Sequence, residues 1–115
     1  QDDRGYKTLF TGINLDGWKT SDPSTWIVGD NVLECQNGSD TLETIQSRDG
    51  YFLMFDYNCN EGDSNAYIVI DGNQTELPRS DDGSWTRMFI QGDGGTIGIG
   101  GRHAKFTNLF VRPSK

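Results

Sequence analysis

The chain has 115 residues, room for one domain, and sets 17 Asp and Glu against 10 Lys and Arg, a formal net charge of −7 at neutral pH. No cluster of Lys and Arg exists to displace phosphate counterions, which argues against nucleic acid and anionic membrane surfaces; neutral sugars and cations such as calcium stay compatible. Hydrophobic residues make up 33%, yet six Phe, four Tyr and three Trp can fill a thin core, and fifteen Gly with scattered Asp and Asn signal tight turns.

In chain order, the segments that alternate at period two are Lys7–Phe10, Thr25–Val28, Asn31–Cys35, Thr41–Ile45, Tyr51–Cys59, Ala66–Ile70, Trp85–Gln91, Thr96–Gly100 and Lys105–Arg112. Turn chemistry separates them. Gly29-Asp30, Asp49-Gly50, Asp71-Gly72 and Asp82-Gly83 suit two-residue hairpins, Asn37-Gly38 parts the third strand from the fourth, and Gly92–Gly95 reads as a longer turn. No segment sustains a helical period; one brief helical turn is expected at Asn14–Trp18. Short strands at regular spacing are the pattern of an all-β sandwich or barrel, and we expect a single two-sheet antiparallel β-sandwich over residues 1–115.

Alternation also assigns faces. Tyr51, Leu53, Phe55 and Tyr57 share one side of the longest strand, and Phe52, Met54 and Asp56 share the other, as in a central strand with some cover on its second side. Phe106 and Asn108 fall in phase with Phe110, with Leu109 and Val111 opposite. Cys35 and Cys59 close two of these runs. They form either one disulfide, worth roughly 3 kcal/mol through loop closure, or two buried thiols.

Several segments then take on a specific likeness. Gly5–Gly12 with Asn14-Leu15-Asp16-Gly17-Trp18, Trp26-Ile27-Val28 with Asn31-Val32-Leu33, Thr41–Thr44, Tyr51–Tyr57, Gly83–Thr86, Gly95–Ile99 and Phe106–Leu109 together resemble, in order, the motifs of the 3-keto-disaccharide hydrolase family. The resemblance implies a concanavalin-like jelly roll and a glycan context. It also exposes departures. The family's Glu-x-Gln segment is absent, and Asp63–Ile68 only loosely echoes its Asn-Ser-Gly-Ile strand. The Gln that follows Gly-x-Leu in the family is Gly100 here, His103 lies at shorter spacing than the family's His-Gly, and the Arg of the last motif is Thr107. The chain resembles a minimal sandwich from which much of that site has been pared away.

The chemistry-bearing residues are few. His103, the only histidine, sits beside Arg102 after a Gly-rich strand and reads as a general base or metal ligand, or as a plain turn residue. Asp56 interrupts an apolar strand, where a carboxylate needs a partner, and Glu43 is another strand carboxylate, but no pair stands out by spacing. Trp18 and Trp26 read as core anchors; Tyr67 and Trp85, each beside a polar loop, are the better sugar-stacking platforms, with Arg102 and His103 completing the expected ligand-binding set. The loops Glu61–Asn65 and Ser80–Ser84 hold enough oxygens for calcium but fit no EF-hand, and solvated turns explain them equally. No other cofactor is implied, and Gly92–Gly101 lacks the Lys and helix of a phosphate loop.

No apolar run approaches the ~20 residues that cross a bilayer. The start at Gln1 suggests removal of an upstream segment, by a signal peptidase or in cloning; the expectation is an exported protein, in the periplasm, at the cell surface or secreted. Three functions follow as expectations: a carbohydrate-binding or accessory module, a glycoside hydrolase acting on 3-keto-glycosides, or a structural interaction domain.

Overall fold

Residues 5–36, 40–59, 62–80 and 83–114 are described by a computed structural model. The turns expected at Asn37-Gly38 and Asp82-Gly83, and Glu61 of the acidic loop, lie wholly or partly outside these residues. Among the described residues there are eleven strands: β1 (Lys7–Thr8), β2 (Trp18–Lys19), β3 (Trp26–Gly29), β4 (Val32–Cys35), β5 (Leu42–Thr44), β6 (Arg48–Asn58), β7 (Ala66–Ile70), β8 (Asn73–Leu77), β9 (Thr86–Gly95), β10 (Ile97–Gly100) and β11 (Lys105–Pro113). They form two antiparallel sheets. Sheet A has the order β3-β4-β11-β6-β9, with β1 also pairing β11; sheet B has the order β2-β5-β10-β7-β8. The protein is a two-sheet jelly-roll sandwich, as expected. No helix among the described residues is long and apolar enough to cross a membrane.

The core forms where inward alternation from both sheets meets. Tyr51, Leu53, Phe55, Tyr57 and Phe106 of sheet A face Leu42, Ile68, Ile97 and Ile99 of sheet B, each at most 1% exposed. Trp18 and Trp26 are core residues as read from sequence, and Trp18 Nε1 donates to the Leu9 carbonyl at 2.8 Å. Tyr57 reaches the Pro78 carbonyl with its hydroxyl at 2.7 Å.

Several expectations are corrected. The helical turn lies at Pro23–Thr25 rather than Asn14–Trp18; Asp22 caps it by accepting from the Ser24 amide. The first hairpin turns on Asp30-Asn31, both at positive φ, one residue beyond Gly29-Asp30, whereas Asp71-Gly72 turns where expected with φ of 54° and 78°. Asp49-Gly50 lies within β6, and Gly92–Gly95 continues β9 opposite Tyr51–Arg48. Gly94 and Gly95, at φ of 152° and 104°, then carry the chain from sheet A into sheet B at Thr96. A bulge between Thr107 and Phe110, with Asn108 at φ 52°, resets the phase of β11, so Phe106, Leu109 and Val111 all face inward.

Of the two alternatives for the cysteines, the structure shows the second: Cys35 and Cys59 are buried thiols not bridged to each other. Lys105 pairs with Glu34 on one side and Asn58 on the other, so the cysteines flank the start of β11 from opposite sides. Two strand spacings separate them, about 9–10 Å, beyond the roughly 7 Å that a disulfide can bridge.

Candidate functional site

The outer surface of sheet B follows from one sequence feature, the alternation Ile97-Gly98-Ile99-Gly100 in its central strand. Both isoleucines point into the core, so the outward positions of β10 carry no side chain. Neighbouring strands supply the surface. One row runs Lys19–Glu43–Gly98–Val69–Gln74 across the sheet. In the next, Tyr67 lies opposite both Gly100 and Glu76. A Cβ at Gly98 would meet Thr41 Cγ2 at 2.9 Å and Val69 Cβ at 3.1 Å; one at Gly100 would meet the Tyr67 hydroxyl oxygen at 2.3 Å. The tyrosine ring therefore lies low across β10, and its hydroxyl shares a 2.6 Å hydrogen bond with Thr41 Oγ1.

Two open hollows meet at Glu43. One, of about 540 Å³, is lined by Glu43, Val69, Asp71, Asp93 and Thr96 with the adjoining glycines. The other, of about 440 Å³, is lined by Lys19, Thr20, Ser21, Asp40, Thr41 and Glu43. The Glu43 side chain is 41% exposed, accepts from the Thr96 hydroxyl, and lies 3.8 Å from Lys19 Nζ. Two of the neighbouring carboxylates are committed elsewhere, whereas Asp93 is exposed on the wall of the first hollow. Asp71 accepts the backbone N–H groups of Asp93 and Gly94 at 3.0 and 3.2 Å, tying the β7–β8 turn to the β9–β10 corner. Asp40 accepts from the Thr20 hydroxyl, and from the Ser21 amide and hydroxyl at 2.8 Å each, which fixes the loop after β2. Glu43 presents its oxygens outward as acceptors, with an ammonium donor beside them.

The residues singled out from the sequence divide between two surfaces. Glu43 and Tyr67 share the outer face of sheet B, and Arg102 and His103 sit in the turn that follows β10. The Arg102 amide donates to Asn65 Oδ1 at 2.9 Å, and its guanidinium lies 3.9 Å from Asp63. His103 takes φ 59° at a half-buried turn position. Tyr67 is 8% exposed, so the open platform expected there is instead a covered ring. Trp85 is 45% exposed and precedes β9 in sheet A.

Asp56 also belongs to sheet A, facing outward from β6. It takes two hydrogen bonds from Arg87, at 2.8 and 3.0 Å, and one from Asn108 at 2.8 Å. The Arg87 guanidinium holds its carboxyl below the usual carboxylate range; burial opposes this and the Asn108 amide adds to it. Asp56 and Glu43 lie on opposite outer surfaces of the sandwich, so they cannot act on one bond. Among the described residues, no three His, Cys, Asp or Glu side chains group as a metal-binding set.

Sequence reasoning passed over Lys19, Thr41, Thr96 and Gly98. The legible signal was the period-two glycine pair in β10, which marks one face of a strand as bare.

No protein-family model matches the sequence, and a search of curated proteins finds no match. Solved structures do match. A provisionally assigned glycosyl hydrolase of Parabacteroides distasonis is 12% identical with a TM-score of 0.74, over 97% of this chain and 95% of that one. A second such protein from the same organism is 17% identical with a TM-score of 0.72, over 94% and 98%. A family 29 carbohydrate-binding module complexed with cellulohexaose is 14% identical with a TM-score of 0.58, over 93% and 89%. At these identities the likeness establishes the fold: the chain shares one jelly-roll architecture, nearly end to end, with proteins of both kinds.

Proposed function

We propose that this domain binds a neutral saccharide on the outer face of sheet B, in the two hollows that meet at Glu43, without transforming it. The observation that carries this reading is the position of Glu43, the wall common to both hollows, with an exposed carboxylate held by Thr96 and Lys19. A planar carboxylate accepts two vicinal sugar hydroxyls, and the adjacent ammonium donates to a third oxygen. Hollows of this size lie within the roughly 300–1,000 Å³ range of small-molecule sites. The jelly-roll fold shared with a carbohydrate-binding module supports the reading. A glycan partner implies action outside the cytoplasm.

Hydrolysis of a 3-keto-glycoside is less well supported. Glycosidic cleavage uses two carboxyl groups about 5–9.5 Å apart. Asp71 and Asp40 are engaged by backbone and hydroxyl donors, and Glu76 sits three strand spacings from Glu43, about 14 Å, which leaves the exposed Asp93 on the wall of the first hollow as the candidate partner. The position of the resembled family's Gln is Gly100, and the Tyr67 ring occupies the space above it.

Calorimetry against cello- and xylo-oligosaccharides, with a parallel assay for released reducing ends, tests this. The expected result is binding without product, weakened about tenfold or more by Glu43→Ala and unchanged by Asp56→Ala. Absence of binding across the panel, or equal affinity in Glu43→Ala, refutes the site; product formation refutes the non-catalytic reading.

A further inference from the structure

A separate cleft lies at one end of the sandwich, between β1, the end of β11 and the loop leading from β5 into β6. Its volume is about 440 Å³, and Lys7, Gln46, Ser47, Arg48, Asp49 and Tyr51 are among its walls. Its chemistry runs against the rest of the molecule. In a chain with 17 acids and 10 bases, Arg48 is half-buried and has no ion pair among the described residues. Among the described residues its guanidinium makes one hydrogen bond, a long 3.4 Å contact to the Gln46 carbonyl. Burial depresses its guanidinium from the ordinary arginine value, the mark of a cation that has lost water without gaining an anion.

Tyr51, on the same wall, is 1% exposed, and its hydroxyl is buried with no hydrogen-bond partner among the described residues. Buried polar groups in native proteins are nearly always satisfied, so an orphaned hydroxyl beside an unpaired guanidinium needs an explanation. Burial pushes this phenol up to about 12; Asp71 and Asp93 add to the shift and Arg48 opposes it, so the hydroxyl stays protonated. Lys7, exposed on β1 and likewise without an ion pair among the described residues, adds a second positive charge, against the exposed Asp49 as the acid on this wall. A planar guanidinium and an ammonium on the walls of one small-molecule-sized cleft, with the buried Tyr51 ring as part of its wall, make a donor-rich seat for an oxyanion.

The geometry points to this cleft as a second binding site, one that takes the anionic group of an acidic sugar residue, a uronate carboxylate or a sulfate ester, with Arg48 as its principal ligand. The site is distinct from the hollows at Glu43 and does not depend on them.

Amide chemical-shift titration of the full chain tests this with four probes at matched ionic strength: glucuronate, glucose 6-sulfate, glucose and inorganic sulfate. The expected result is saturable shifts at residues 46–51 and Lys7 with one or both acidic sugars and none with glucose. A response to glucuronate alone identifies a carboxylate seat, and a response to glucose 6-sulfate alone identifies a sulfate-ester seat. Arg48→Gln should weaken the response about tenfold or more, and Arg48→Lys should restore part of it. Silence with both acidic sugars, or shifts that persist in a folded Arg48→Gln or Arg48→Lys variant at wild-type affinity, overturns the site. Inorganic sulfate binding as well as the sugar acids leaves an adventitious ion only, and overturns the saccharide assignment. The Glu43→Ala protein should respond as the wild type does, which separates failure of this site from failure of the neutral-sugar reading.

Discussion

Replacing Gly100 by Ala tests whether Tyr67 has closed over the centre of sheet B. The added Cβ would lie 2.3 Å from the Tyr67 hydroxyl oxygen, 2.4 Å from Cζ and 2.9 Å from Cε2, so the ring must move. Moving it breaks the 2.6 Å bond to Thr41, about 1 kcal/mol, and exposes roughly half of a ring worth ~200 Å², about 2.5 kcal/mol at 25 cal/mol per Å². Against this stands about 0.4–1 kcal/mol gained from a stiffer unfolded chain, because Gly100 does not occupy the left-handed region. The net cost is about 2–3 kcal/mol, read as a lower urea midpoint at unchanged slope. In a Tyr67→Ala background the same change should be neutral or slightly stabilising, giving a coupling of about 3 kcal/mol between the two positions. A cost below about 0.5 kcal/mol in the wild type, or an equal cost in both backgrounds, refutes the packing and with it the reason for excluding a side chain at this position.

Asp56→Asn should lower stability by about 1–2 kcal/mol at pH 7, a value discounted because Arg87 is 51% exposed and can resolvate. The folded Asp56 titrates below its unfolded value near 4, so this contribution is full above that value and lost as pH falls through the folded pKa; melts at pH 7 and at about pH 2 should show the gap closing, and a constant gap contradicts the ion pair. Mild oxidation should leave both thiols countable after unfolding; an intramolecular bridge formed with native stability contradicts the separation of Cys35 and Cys59 across β11. Asp71→Ala should speed amide exchange at Asp93 and Gly94 with a loss of about 1 kcal/mol, and unchanged exchange there would show that the carboxylate does not hold this corner.

Legibility followed how strongly each strand's two faces differ. Tyr51–Tyr57 sets Tyr51, Leu53, Phe55 and Tyr57 on one face against Phe52, Met54 and Asp56 on the other, and its inner face was read correctly down to single positions. Asn73–Leu77 has almost no apolar residue because it is an edge strand exposed at every position but Leu77, so periodicity had nothing to detect. Gly92–Gly95 is strand despite a turn-like composition, because the Tyr51 ring lies over Gly92, where a Cβ would meet it at 2.2 Å. Local composition cannot report a ring arriving from a neighbouring strand. The bulge at Asn108 was hidden for a related reason: one residue at positive φ inverts every later assignment in β11.

The same limit governed the site. Alternation tells inside from outside but is silent on which sheet a strand joins, so Glu43 and Asp56 looked equivalent as strand carboxylates. Pairing separates them. Asp56 faces Arg87 on β9, which takes both of its oxygens; Glu43 faces Gly98 on β10, and the cation on its other side, Lys19 on β2, stands 3.8 Å away. An outward carboxylate whose central-strand neighbour is glycine keeps acceptor surface open to solvent, and this is why the glycines of β10, rather than the histidine beside them, mark the proposed binding face.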